Sequence, residues 1–178
     1  MDWVDIISRF VVAIPKPVGR ALIFPLHVLP SFRKAKRVLR VVDEVSGLER
    51  CGNFDAAEQI REQALRLCEP GFTAPLWRSK GFDRLRRNMP DEALAAFEQG
   101  ITQLEKRPMM YGVSQPHELY YGAALAALGV GERERAKGYY RSTANLTVHA
   151  RSRRGDYGRW WEEALENLRR RLGEPTRV

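Results

Sequence analysis

Apolar positions along this chain recur at spacings of three and four, the interval at which side chains share one face of a helix. The clearest stretch runs from Trp77 to Pro108. It predicts two antiparallel helices joined by a tight turn, with Trp77, Gly81, Ala93 and Phe97 at the offsets where paired helices need bulk, a close approach, a small contact and an aromatic plug. Asn88-Met89-Pro90-Asp91 marks the break. Asn88 can cap, Pro90 is tolerated in a first turn, and Asp91 suits the positive end of a helix. One such hairpin cannot bury its apolar face alone, so copies are expected on either side.

Copies are present. From about Leu39 to Pro70, Val41, Val45 and Leu48 form one stripe and Gly52-Asn53-Phe54-Asp55 a turn; Ala57, Ile60, Ala64, Leu65 and Leu67 form a second stripe, ended by Pro70-Gly71. Thr73 is a reasonable cap for the helix after it. A third unit runs from Glu118 to about Ala150, with Tyr120, Ala123, Ala124 and Ala127, then the turn Gly129-Val130-Gly131, then Ala136, Tyr140 and Ala144. The intervening Pro108–His117 loop carries Met109, Met110 and Tyr111, which either fill a gap between hairpins or touch a ligand. Beyond Gly155-Asp156, Trp161, Ala164, Leu165, Leu168 and Leu172 make an apolar stripe backed by Glu162, Glu163, Glu166, Arg169 and Arg170, the pattern of a closing helix.

The N-terminal end reads differently. Trp3, Ile6, Ile7, Phe10, Val11 and Ile14 fall on one helical face, Pro15 and Pro17 end it, and the apolar piece Ala21–Leu29 follows. Arg33, Lys34, Lys36, Arg37 and Arg40 come next. An amphipathic helix followed by a basic cluster can rest on an anionic membrane surface. The same face can instead cover the first hairpin or a second copy of the chain, and a homodimer would follow from the latter. The division expected is therefore 1–37 as an amphipathic and basic segment, 38–150 as three hairpins, and 151–178 as an Arg-rich capping helix.

Charge sharpens this division. Lys and Arg outnumber Asp and Glu by 30 to 22. Residues 1–40 carry a net +6, residues 41–150 a net −1, and residues 151–178 a net +3. The middle is neutral and the ends are basic, which favours tails that touch an anionic surface over a core built to wrap nucleic acid. Arg151, Arg153, Arg154 and Arg159 with Tyr157, Trp160 and Trp161 would touch phosphates and stack bases in a nucleic-acid-binding reading, but two of those aromatics are better used as the face of the closing helix. At 178 residues the chain has room for one domain with a real core. Cys51 and Cys68, if at opposite ends of one helix, lie roughly 20 Å apart, too far for a disulfide, and fit a reducing cytoplasm. Asp2 and Asp5 stand where a secretory leader would be positive, and the charge-free run Ala21–Phe32 is too short and proline-broken for a membrane span. A cytoplasmic protein, with peripheral membrane contact through its N-terminus, is the expectation.

Ala57, Ala93 and Ala136 occupy equivalent places early in each second helix, 36 and 43 residues apart. With Trp77, Gly81, Ala93 and Phe97 in the middle unit, the chain resembles the tetratricopeptide repeat, whose period is 34. Pro108 comes slightly late for the closing proline. Unit one keeps Ala57, Ala64 and Pro70 but has Val45 where glycine is usual; unit three keeps Ala136 and Tyr140, with Tyr120 for the tryptophan and Ala124 for the glycine. The resemblance covers roughly residues 38–150. It implies an all-α fold, a short right-handed solenoid of helical hairpins whose concave face is lined by the first helix of each. The positions it places there are Val42, Ser46, Glu49 and Arg50, then Arg78, Phe82, Leu85 and Arg86, then Tyr121, Leu125 and Leu128.

Proteins of this family bind peptides or partner proteins in that groove. Ser46, Phe82 and Leu125 stand where a carboxylate-clamping subgroup would want asparagine, so that clamp is not expected. Arginines with Phe82 and Tyr121 suit a segment bearing acidic and apolar side chains, unless the arginines simply pair with neighbours. A scaffold or adaptor for such a protein or peptide is the first expectation. A small chaperone resembling those of bacterial secretion systems is the second, although those are usually acidic. No chemistry for an enzyme stands out. His27, His117 and His149 are scattered without metal spacing, Gly129-Val130-Gly131 lacks a third glycine, Ser114 lacks flanking glycines, and Glu162-Glu163 diverge on a helix. Asn145-Leu146-Thr147 matches a glycosylation sequon inside an expected helix. Neither a cofactor nor a metal is expected.

Overall fold

The computed structural model describes residues 24–106, 115–150 and 156–174. The described residues form seven α-helices and no strand: α1 (Phe24–Arg50), α2 (Phe54–Leu67), α3 (Ala74–Arg86), α4 (Pro90–Lys106), α5 (Pro116–Gly129), α6 (Arg133–Ala150) and α7 (Asp156–Leu172). The fold class is all-α. The chain divides into two compact units, Met1–Arg33 and Lys34–Val178. Of the first unit only the start of α1 is described.

Three tight turns join the helices in pairs, and all three are built the same way. Gly52, Asn88 and Gly131 each take a left-handed backbone (φ 77°, 58° and 86°) one residue past the C-cap. At each, the next N–H reaches back to a carbonyl five residues earlier: Asn53 to Leu48, Met89 to Arg84, and Glu132 to Ala127. These bonds satisfy carbonyls that a helix end otherwise leaves open, and the left-handed step is open to glycine and, at small cost, to asparagine. Asn88 therefore closes α3 rather than capping α4, whose first N–H bond is taken by the Met89 carbonyl through Ala93. Five residues after each turn sits Ala57, Ala93 or Ala136, every one of them buried.

The core is continuous from Ala35 on α1 to Leu172 on α7. α3 packs along α4 and α5 along α6, while α5 also lies along α4 and touches α3. The centre of this packing is Phe97, fully buried, its ring pressed between two glycines. A Cβ at Gly81 would meet that ring at 2.7 Å, and one at Gly122 would overlap it outright. Leu119 presses on Gly100 in the same interface. Burying an aromatic ring of this size contributes on the order of 2–3 kcal/mol, and only glycine lets the backbones approach that closely.

α1 runs unbroken from Phe24 through the basic cluster to Arg50. Ala35, Val38, Val42 and Val45 recur at three and four and are all buried, so Lys34, Lys36, Arg37 and Arg40 are the wet side of a helix whose other side enters the core. The buried stripe is also turned from the one expected: Val41 and Leu48 are half-exposed, and Val42, expected in a groove, is 8% exposed. Pro25 falls in the first turn of α1, where a missing N–H costs little.

Candidate functional site

The first helix of each pair, α1, α3 and α5, supplies the positions expected to line a groove. Phe82 and Leu85 on α3 and Tyr121, Leu125 and Leu128 on α5 are all half-buried and packed against the core rather than within it. Phe82 meets Phe97 edge-on, with ring centroids 5.0 Å apart. At α5 this apolar band meets the closing helix. Trp161 of α7 stands edge-on to Tyr121 (5.2 Å) and to His117 (4.9 Å), one turn earlier on α5. Burial raises the Tyr121 hydroxyl above its ordinary pKa, and the Arg171 charge partly opposes this, so Tyr121 is neutral at physiological pH.

The three arginines expected as anchors have different surroundings. Arg78 contacts Gln115 and bridges to Glu118 at 2.9 Å, both of them at the start of the third pair. Arg86 bridges to Glu49 at 2.5 Å and approaches Asp83 at 3.7 Å. Arg50 is exposed and donates to the Ser46 carbonyl at 3.3 Å. Two of the three are thus already paired across neighbouring helical pairs, and Arg50 is the one facing solvent without a carboxylate among the described residues.

Behind Arg86 lies a charge cluster that single-residue reading missed. Arg61 of α2, with its side chain 1% exposed, contacts Glu49 of α1, Glu58 of α2 and, at 3.8 Å, the equally buried Asp83 of α3. Asp83 also receives Arg84 at 3.2 Å and Arg87 at 3.1 Å. Arg84 reaches on to Glu58 and to Glu92 at 3.0 Å. Positive and negative groups alternate, so each charge removed from water faces an opposite one. The signal available in the sequence was an acid at 83 amid Arg84, Arg86 and Arg87 on a helix whose neighbours already solvate it.

Lys34, Lys36 and Arg37 are exposed, as is Arg33. Lys34 bridges to Glu69 at 2.5 Å and lies over the Phe72 ring. Trp3, Ile6, Ile7 and Phe10, the apolar partners expected for this cluster, lie outside the described residues, as do Met109, Met110 and Tyr111. No helix among the described residues is long and apolar enough to cross a membrane. No group of three or more His, Cys, Asp or Glu among them could hold a metal ion. Cys51 and Cys68 are free thiols, the latter with its pKa raised by burial.

Set against protein-family models, curated proteins and solved structures, the chain matches none.

Proposed function

We propose that this chain is a non-catalytic scaffold, a degenerate three-repeat relative of the tetratricopeptide proteins, which holds a partner protein or peptide on the face presented by α1, α3 and α5. The observation that carries this reading is the threefold recurrence of one device: a left-handed closing residue at 52, 88 and 131 with a buried alanine five residues on. Repetition of a supersecondary unit produces stacked hairpins with one inner face, and such faces serve as extended binding surfaces. The half-buried band of Phe82, Leu85, Tyr121, Leu125 and Leu128 supports it, since aromatic and aliphatic side chains that are only part-covered have area left to give to a partner. Exposed Arg50 adds one charge for an acidic group on that partner.

A photo-crosslinking amino acid placed at Arg50 or Arg86 tests this, with Gln59 and Gln99 as exposed controls on the second helices. Both Arg50 and Arg86 are exposed, so the probe leaves the core intact. The expected outcome is one discrete crosslinked partner from positions 50 and 86 and none from 59 and 99. Equal capture from all four positions, or from the controls alone, removes the inner face as the docking surface.

A further inference from the structure

We infer a second docking site, a slot between α1 and α2 that seats an amphipathic helix of a partner protein, apolar along one side and carrying an acidic group at one end and a basic group at the other. This rests on the partner-binding reading above but places the contact elsewhere. The slot, open to solvent along one side, holds about 480 Å³. Its floor is apolar: Val38 and Val41 from α1, Ile60 and Ala64 from α2, and Phe72 beyond it. Leu67 forms the lip and is 76% exposed, the most exposed large hydrophobic side chain among the described residues. An isolated exposed leucine is ordinary on a protein surface. This one continues an apolar floor.

The length and chemistry of the slot select the occupant. Along α1 it runs from Lys34 to Glu44, ten residues or roughly 15 Å of rise, which matches about three turns of a second helix. Its walls are helices whose backbone groups are bonded internally. An extended segment would leave its own N–H and C=O groups unsatisfied over an apolar floor, whereas a helix brings them already bonded. Lys34 is neutralised by Glu69. Arg37 near one end and Glu44 at the other make no ion pair among the described residues, so the complementary segment presents a carboxylate to the first and an ammonium or guanidinium to the second. Arg37 is close enough to the slot wall for its charge to act on the Cys68 thiol there. A carboxylate at the slot's far end does not suit an anionic bilayer or a nucleic acid.

The probe is a synthetic fourteen-residue helical peptide with leucines at positions 4, 7, 8 and 11, glutamates in its first turn and lysines in its last, titrated by fluorescence anisotropy against the full chain. Saturable binding is expected, weakened at least tenfold by Leu67→Glu. Arg37→Glu is expected to weaken it severalfold and to restore binding of a second peptide whose first-turn glutamates are replaced by lysines. Arg37 and Leu67 are both exposed, and unchanged circular dichroism confirms that each variant folds. Failure to saturate at about 1 mM, binding indifferent to Leu67→Glu, or a charge swap without effect overturns the assignment. A chain that sediments as a dimer dissociated by Leu67→Glu also overturns it, since a second copy then fills the slot. Crosslinks from positions 50 and 86 that persist beside a failed titration would leave the inner-face reading standing and this one lost.

Discussion

Two junctions between helical pairs in this molecule share one apolar core but differ in the polar groups they bury. Where the second pair meets the third, Phe97 of α4 fills the space between Gly81 and Gly122, and Leu119 closes on Gly100. Charged groups stay at the edge, where Glu98 of α4 takes Arg135 and Tyr139 of α6. Where the first pair meets the second, α2 touches α3 less extensively, and the interior holds Arg61 and Asp83 with Glu49, Glu58 and Arg84 around them. The apolar junction gains from every square ångström of surface removed from water. The ionic junction gains little net, because desolvation offsets attraction, and its acids are each shared between two or more arginines.

The largest effect is expected at Phe97. Phe97→Ala should lower the unfolding free energy by about 4 kcal/mol in urea titration, because the two glycines that admit the ring cannot close over the void it leaves. A loss below about 1.5 kcal/mol would mean that the pairs collapse together without the plug. Arg61→Ala should cost about 3 kcal/mol for a different reason, the loss of the buried cation that Glu49, Glu58 and Asp83 share. The two mechanisms separate in a double-mutant cycle. Arg61→Ala with Asp83→Ala should show coupling of about 1–3 kcal/mol, whereas Arg61→Ala with Phe97→Ala should be additive to about 0.5 kcal/mol. Coupling between Arg61 and Phe97 as large as that between Arg61 and Asp83 would erase the distinction between the junctions.

The apolar junction was legible in the sequence and the ionic one was not, for a physical reason. Hydrophobic burial is non-directional, so Phe97, Gly81 and the spaced alanines announce themselves by periodicity alone. An ion pair depends on which helix faces which. Arg61 and Asp83 are 22 residues apart, and each alone looks like an ordinary solvated charge. Gly122, the second wall of the Phe97 slot, falls at no repeat position and so gave no signal. Asn88 was ambiguous because the same residue type suits an N-cap and a left-handed C-terminal step; the backbone chose the second. Of the groove arginines, Arg78 and Arg86 turned to Glu118 and Glu49, partners that lie in other helical pairs and that no local spacing reveals.

One substitution made in two places should take opposite signs. Gly81→Ala should destabilise by about 1–2 kcal/mol, because its Cβ would stand 2.7 Å from the Phe97 ring, which is fully buried. Gly47→Ala on α1 meets nothing within 4 Å, so removing a flexible residue from a helix interior should stabilise by about 0.5–1 kcal/mol. Urea midpoints moving the same way for both would show that helix propensity, not close approach, sets the cost at Gly81.

A further effect lies at the edge of the apolar junction and is read as a dependence on pH. The Tyr139 hydroxyl donates to Glu98 Oε1 at 2.6 Å, and burial together with that bond pushes its pKa up to about 12. In an unfolded chain the same proton leaves near pH 10. From about pH 10 to 12 the unfolded state therefore binds fewer protons than the folded one, and stability falls as pH rises. Tyr139→Phe should cost about 1 kcal/mol at pH 7 through the lost hydrogen bond, yet flatten the decline above pH 10. Tyr121, whose pKa burial also raises, contributes to the alkaline slope in the same direction and remains in the variant. The difference between wild type and variant therefore isolates Tyr139. If that difference is constant from pH 7 to 12, the hydroxyl does not hold its proton against solvent, and the polar edge of this junction is looser than its apolar centre.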